Sequence, residues 1–217
     1  APIWFKCFVT FSICCWTSVF RLNLPNTMLF LVVLLSFNHL FSSMNLIVYS
    51  TQDACGFNCA KFLLKQGFVH QEPVETARGK KRFWLNGEVG VLETSERLSV
   101  DGEYLSELDV VKKAGLVIIP YRHGSSNQRQ VLTAHATGNF SNSAEYGGNP
   151  KQLPFSCAGA LKFVHDFFQS NPFPGYAFDF EVNHHGPTGL PNPVVFVELG
   201  PGEKQWNDLP ACEYLSK

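Results

Sequence analysis

Apolar and polar positions along the chain switch between two periods, and the switches mark out the elements. The run "NLIVYS", residues 45–50, is β-branched and closed by polar residues, which predicts a buried strand. In "FNCAKFLLKQG", residues 57–67, Phe57, Ala60, Leu63 and Leu64 fall at helical spacing and Gly67 marks the stop. "RFWLNGEVGVL" sets Asn86-Gly87 between two apolar runs, a hairpin signature expected to branch away from the main sheet. Residues 115–123, "GLVIIPYRH", and 130–135, "QVLTAH", are further apolar strands, and each ends in histidine. Residues 154–170 predict an amphipathic helix, with Leu161, Val164, Phe167 and Phe168 inward and His165 as half-buried filler. "YAFDFEVNHH", residues 176–185, alternates: Phe178, Phe180 and Val182 on one face, Asp179, Glu181 and Asn183 on the other. "PVVFVELG", residues 193–200, does not alternate, so both of its faces should be covered.

Strands interleaved with helices, several of them wholly apolar, predict an α/β fold: a three-layer sandwich around a mixed, mostly parallel sheet. At 217 residues and 45% hydrophobic, the chain can bury one sizeable core but is short for two domains. Residues 1–52 hold no Asp or Glu, and residues 1–43 read as a hydrophobic N-terminal appendage outside the fold, leaving 44–217 as the domain. The apolar run "MLFLVVLL" from Met28 falls short of the roughly 20 residues that a bilayer span needs, so no stable membrane partner is expected. A formal net charge of -1 provides no global field for a polyanion, so any nucleic-acid contact must be local. "ARGKKRFW", residues 77–84, is the candidate patch, with Arg78, Lys80, Lys81 and Arg82 for phosphates and Phe83 and Trp84 for stacking. The cysteines form no C-x-x-C pair, Cys55 and Cys59 read as packing thiols on one helix face, and a reducing cytoplasm is the expected compartment.

Chemistry concentrates at strand exits. Arg122 and His123 close one apolar strand, His135 another and His184 with His185 a third, while Glu198 sits inside the fourth. Ligands in open α/β sheets bind at the carboxyl ends of parallel strands, which makes this repeated placement a candidate site. Strand parity groups His184 with Phe178, Phe180 and Val182, a packed supporting role, and leaves His185 on the polar face as the actor. Among apolar neighbours the Glu198 carboxylate needs a metal ion, an arginine or an imidazolium. The small residues around Gly138, Gly147 and Gly148 offer backbone N–H groups for an oxyanion or a phosphate. No G-x-x-x-x-G-K-[ST] and no G-x-S-x-G is present, which argues against a P-loop enzyme and a serine hydrolase.

The ordered set "YRHGSS", "LTAHATGN", "AEYGGNP", "EVNHHGPTGLPNPVVFVELG" and Trp206 resembles the D-aminoacyl-tRNA deacylase family of the archaeal and plant type, from Met44 to about Ala211. The resemblance implies hydrolysis of the ester that joins a D-amino acid to the terminal ribose of tRNA. It also implies zinc as cofactor, tRNA carrying a D-amino acid as partner, and a phosphorylase/peptidyl-tRNA-hydrolase-like fold. The family motifs fall on His123, His135, Asn139, His184, His185 and Glu198. On this reading His135, His185 and Glu198 hold Zn²⁺ or a polarised water, and His135, His185 and His123 are catalytic. Asn139, Gly138, Gly147, Gly148 and Arg122 meet the substrate, and His184 supports from behind. Family chains continue past the tryptophan through a Gly-Gly-His-Tyr segment, so the sequence reads as a C-terminally shortened domain. The rival readings are a nucleoside or nucleotide hydrolase or phosphorylase on the same fold, and a non-catalytic tRNA-binding protein.

Overall fold

The computed structural model describes residues 44–217, so the expected appendage, residues 1–43, lies outside the described residues. Eight strands form one sheet: β1 (Asn45–Ser50), β2 (Val69–His70), β3 (Phe83–Asn86), β4 (Val89–Thr94), β5 (Leu116–Arg122), β6 (Val131–Ala136), β7 (Ala177–Phe180) and β8 (Val194–Gly200). Their order is β2-β3-β4-β1-β5-β8-β6-β7. The pairs β1–β4, β1–β5, β5–β8 and β6–β7 are parallel, while β2–β3, β3–β4 and β6–β8 are antiparallel. This is the mixed, mostly parallel sheet that the sequence predicts. The hairpin at Asn86-Gly87 forms, but it does not branch away: β4 pairs along the full length of β1 and belongs to the main sheet.

Helix α1 (Ala54–Leu63) starts three residues before the predicted segment because the Asp53 side chain caps it, accepting from the Gly56 N–H at 2.7 Å. Gly56 is required for the close seat of α1 on the sheet, since a Cβ there would stand 2.6 Å from the Pro120 carbonyl oxygen. Ala60 and Leu63 of α1 pack with Tyr49 and Val91 on one face of the sheet. On the other face Leu46, Val48, Val117, Ile119, Val194 and Phe196 meet Leu98, Tyr104, Leu105, Leu108 and Val111 from the segment after β4. That segment contains α2 (Leu98–Asp101), a 3-10 turn over Gly102–Glu107 and α3 (Asp109–Lys112). Together with the sheet these two coverings give the three layers expected.

Helix α4 (Ala158–Ser170) follows the predicted amphipathic segment, with Ala160, Val164 and Phe168 buried. Short helices α5 (Glu203–Trp206) and α6 (Leu209–Leu215) end the chain, and α6 packs on α1. Every residue of β8 is buried, as its unbroken apolar run requires. Full burial of the Phe196 side chain alone contributes about 2–3 kcal/mol. None of the helices among the described residues is long and apolar enough to cross a membrane.

Candidate active site

Sheet register decides which side chains meet. Directly paired residues share a face, and β8 pairs Glu198 with Tyr121 of β5 and with Thr133 of β6. The same face therefore carries Phe196, Glu198, Tyr121, His123, Thr133 and His135. Glu198 sits where the apolar cluster around Phe196 ends. The expected geometry, histidines at the carboxyl ends of parallel strands, holds for His123, just past β5, but not for His135 against β8. Strand β6 runs antiparallel to β8, so its last turn of residues lies over the middle of β8 and His135 pairs with Phe196. The site is built on a face of the sheet rather than at its rim.

Strand β7 ends at Phe180, so the alternation read through residue 185 lapses before the histidines. Residues 181–193 form an irregular connection, and it places His185 inward, buried beside Phe196 with ring centroids 4.5 Å apart. His184 is exposed rather than packed with Phe178, Phe180 and Val182, and Val182 itself is 75% exposed. The imidazole of His184 nonetheless stands 4.8 Å from that of His135 and 4.7 Å from that of His185. One ring nitrogen from each of the three lies within 4.8 Å of the others. Geometry thus gives His184 a place among the donors, where strand parity gave it a supporting role.

The connection is held tightly. Gly147 has φ 96, and a Cβ on it would stand 2.1 Å from the Ser99 carbonyl oxygen, so this turn presses backbone against backbone. Glu103 accepts from the Thr188 N–H and, at 2.8 Å, from the Gly189 N–H, clamping the segment after the histidines. Asn139 donates to the carbonyls of Gly147 at 2.9 Å and Asn149 at 3.1 Å, so its amide staples the loop instead of facing a substrate. The Gly138 N–H goes to the His185 carbonyl and the Gly147 N–H to the Ala144 carbonyl, which commits two of the three glycine donors expected at an oxyanion. Arg122 leaves β5 on the face opposite His123. Its guanidinium meets Asp53 at 3.5 Å and lies over the Trp206 ring, outside the cluster. Burial pushes the Asp53 carboxyl up to about 6 despite that pairing.

Hydrogen-bond partners fix the tautomers. The Nδ1 atoms of His135, His184 and His185 lie 2.9, 2.8 and 2.7 Å from the carbonyl oxygens of Ala136, Val182 and Gly186. A carbonyl only accepts, so each Nδ1 carries the proton, and in the neutral ring Nε2 is left as a lone pair. The Nε2 atoms of His135 and His185 face Glu198 Oε1 at 3.3 and 3.5 Å. Two lone pairs and a carboxylate oxygen repel unless a cation lies between them. A proton is one such cation: burial opposes charge on His135, but the Glu198 carboxylate outweighs it and holds the imidazole above its ordinary value. A metal ion is the other. Bonds of about 2.0–2.1 Å to tetrahedral donors place those donors about 3.3–3.4 Å apart, which matches the two measured separations. Backbone carbonyls that orient metal-binding imidazoles are the usual support for such a site.

The second oxygen of Glu198 faces His123 Nδ1 at 3.6 Å, and Glu181 Oε1 reaches the same nitrogen at 3.2 Å. Glu181 first and Glu198 second hold the His123 imidazole up at about 9. Burial works against the Glu198 charge, yet its contacts with His123, His135 and His185 keep it well below the ordinary carboxylate range. His123, Glu181 and Glu198 form a second group of possible metal ligands beside the three histidines. Glu181 belongs to the site although the sequence reading placed it only on a polar strand face. Its membership in that face, two residues past Asp179, was the available signal. A cavity of about 310 Å³ opens beside His123 and Glu181, with Arg129, Thr133, Asp179 and Phe180 in its wall.

Comparison with known proteins bears on what this face does. A family model described as D-aminoacyl-tRNA deacylase matches residues 110–217, which include every member of the cluster. A D-aminoacyl-tRNA deacylase of Methanospirillum hungatei is 32% identical over 176 residues, covering 81% of this chain and 36% of the relative. One from Cenarchaeum symbiosum is 34% identical over 174 residues, covering 78% and 60%. The chain belongs to the D-aminoacyl-tRNA deacylase family. It spans between about a third and three fifths of the length of these two deacylases. Among solved structures, a conserved protein of unknown function superposes with a TM-score of 0.68 at 28% identity, covering 80% of this chain and 61% of that one. A putative methylthioadenosine nucleosidase from Weissella paramesenteroides gives a TM-score of 0.52 at 10% identity, covering 80% and 95%. That second likeness concerns the fold alone, and it is the phosphorylase-like one expected for a deacylase of this type.

Proposed function

We propose that this domain hydrolyses the ester between a D-amino acid and the terminal ribose of tRNA, in the cytoplasm and with a zinc ion as cofactor. Family membership supports the reaction. The observation that carries it to particular residues is the convergence of His135, His185 and Glu198, with His184 and His123 alongside, next to a cavity. At about 310 Å³ that cavity lies at the small end of ligand pockets and suits one amino-acid side chain or one nucleoside. A tRNA would insert only its charged terminus and leave the rest of the molecule outside.

His135 Nε2, His185 Nε2 and Glu198 Oε1 would hold the zinc ion, with His184 as the further nitrogen donor within reach. When bound, such an ion supplies Lewis-acid polarisation of an ester carbonyl and draws the pKa of a coordinated water down toward 7. His123 carries the mobile proton. Tied at Nδ1 to Glu181 at 3.2 Å, its imidazolium would hand a proton from the other ring nitrogen to the departing ribose oxygen. Glu181, steadied by the Thr133 hydroxyl at 3.0 Å, orients that ring. Phe196 lies beneath His135 and His185 and excludes water from the underside of the donors.

The test is ester loss from D- and L-aminoacyl-tRNA, with a full-length archaeal deacylase as positive control, before and after chelation and zinc return. Release of D-amino acid that chelator abolishes and zinc restores is the expected result. An inert D-ester in the presence of zinc, or phosphate-dependent cleavage of a free nucleoside instead, refutes the reading.

A further inference from the structure

One other set of metal-binding side chains converges among the described residues, and the proposed hydrolysis does not use it. Cys55 and Cys59 stand one turn apart on α1, and α6 brings Cys212 to the same point, with the three sulfurs within 4.8 Å of one another. All three are free thiols, buried at 0%, 2% and 0% exposure. A cysteine that only fills space gains its burial from any apolar neighbour and has no reason to face other sulfurs. Here two helices turn their sulfurs toward a common centre. Asn58, on the same helix, donates to the Trp206 carbonyl at the end of α5 at 3.2 Å, and Lys61 in turn donates to Asn58 Oδ1 at 2.9 Å.

We propose that Cys55, Cys59 and Cys212 form a three-coordinate thiolate site for a soft d10 cation, Cu(I). Three thiolates bound at about 2.3 Å in a plane lie about 4 Å apart, and the Cys55 and Cys59 sulfurs are 3.9 Å apart. Thiolates select Cu(I) and zinc, but a structural zinc takes four donors. No fourth Cys, His, Asp or Glu joins these three among the described residues, which favours the ion that accepts three. A bound ion would fasten α6 to α1, two helices that otherwise pack against each other.

Three further cysteines lie at Cys7, Cys14 and Cys15, and Cys157 is partly accessible, so the parent for testing carries serine at those four positions. Anaerobic titration with Cu(I) against bicinchoninate should show one ion per chain. X-ray absorption on the same parent should find three sulfur neighbours at about 2.3 Å and needs no substitution within the cluster. Cys212→Ser and Cys59→Ser should each weaken binding by on the order of 100-fold, the upper end of what altered metal surroundings cost. A His135→Ala, His185→Ala double variant should keep its copper. The proposal is overturned by failure to compete with bicinchoninate, by nitrogen or oxygen neighbours in the absorption spectrum, by unchanged affinity in Cys212→Ser, or by copper loss in the histidine variant. The copper readouts are independent of deacylation, so the two readings fail separately.

Discussion

In the basic stretch at residues 77–84, Lys80 meets Glu75 at 2.7 Å, Lys81 meets Glu96 at 2.9 Å, Arg82 meets Glu93 at 2.6 Å and Arg78 lies over the Tyr104 ring. Over β8, three imidazoles turn their Nδ1 protons to backbone carbonyls, and two of them aim the remaining nitrogens at the single buried carboxylate of Glu198. Both regions gather ionisable groups. The first compensates them pairwise with partners close in sequence or on the adjoining strand, so no ligand is required to complete it. The second leaves donor atoms facing one another, which only a cation can reconcile. The number of charges in a stretch therefore says less about function than whether their partners are already present.

The largest effect expected from breaking that contrast is at the cluster. Glu198→Gln and His185→Ala should each lower deacylation by about 10²–10⁴-fold while circular dichroism still reports a folded sheet, and an active His185→Ala would remove that residue from the chemistry. Next comes Lys81, buried beneath its own stretch at 6% side-chain exposure. Lys81→Ala should destabilise the fold by about 2–3 kcal/mol in urea titration, because Glu96 loses the Lys81 ammonium and keeps the neutral donors Thr94, Ser95 and Tyr104, with no change in tRNA affinity. A fall in tRNA affinity without a loss of stability would return the stretch to nucleic-acid binding.

A smaller effect follows from Glu96 itself. Burial opposes its charge, but the Thr94 hydroxyl and Lys81 prevail and lower the carboxyl to about 2. Its contribution is complete above the ordinary carboxylate value of 4.5 and disappears as pH falls through about 2. Glu96→Gln should flatten the stability profile across that window by about 1–3 kcal/mol, and an unaltered slope would discount the pairing. Least of all, Arg82→Ala should cost under about 1 kcal/mol, since its side chain is 58% exposed and water screens the pair with Glu93.

Local pattern sufficed where an element's environment is uniform. β1 occupies the predicted run, and β8, apolar throughout, is buried throughout. His123, His135, His185 and Glu198 were legible as candidates because each stands at the end of an apolar run or inside one. What stayed hidden depends on non-local register. The reversal of β6 against β8, the reach of Glu181 to His123 and the clamp from Glu103 all join segments that are far apart in the chain. The meeting of Cys212 with α1 is of the same kind, since nothing in the spacing of Cys55 and Cys59 announces a third sulfur. Alternation through residues 176–185 misled for the opposite reason: the pattern persists after the strand has ended at Phe180, so parity ceased to report direction.

The antiparallel course of β6 makes the meeting of His135 with Glu198 a stricter gauge than folding of how the sheet is threaded. A slip of one residue against β8 would keep most ladder bonds, yet it would turn Val131, Thr133 and His135 together onto the side where α4 packs. Such a misaligned chain could pass as native by its strand content and still be unable to assemble its donors.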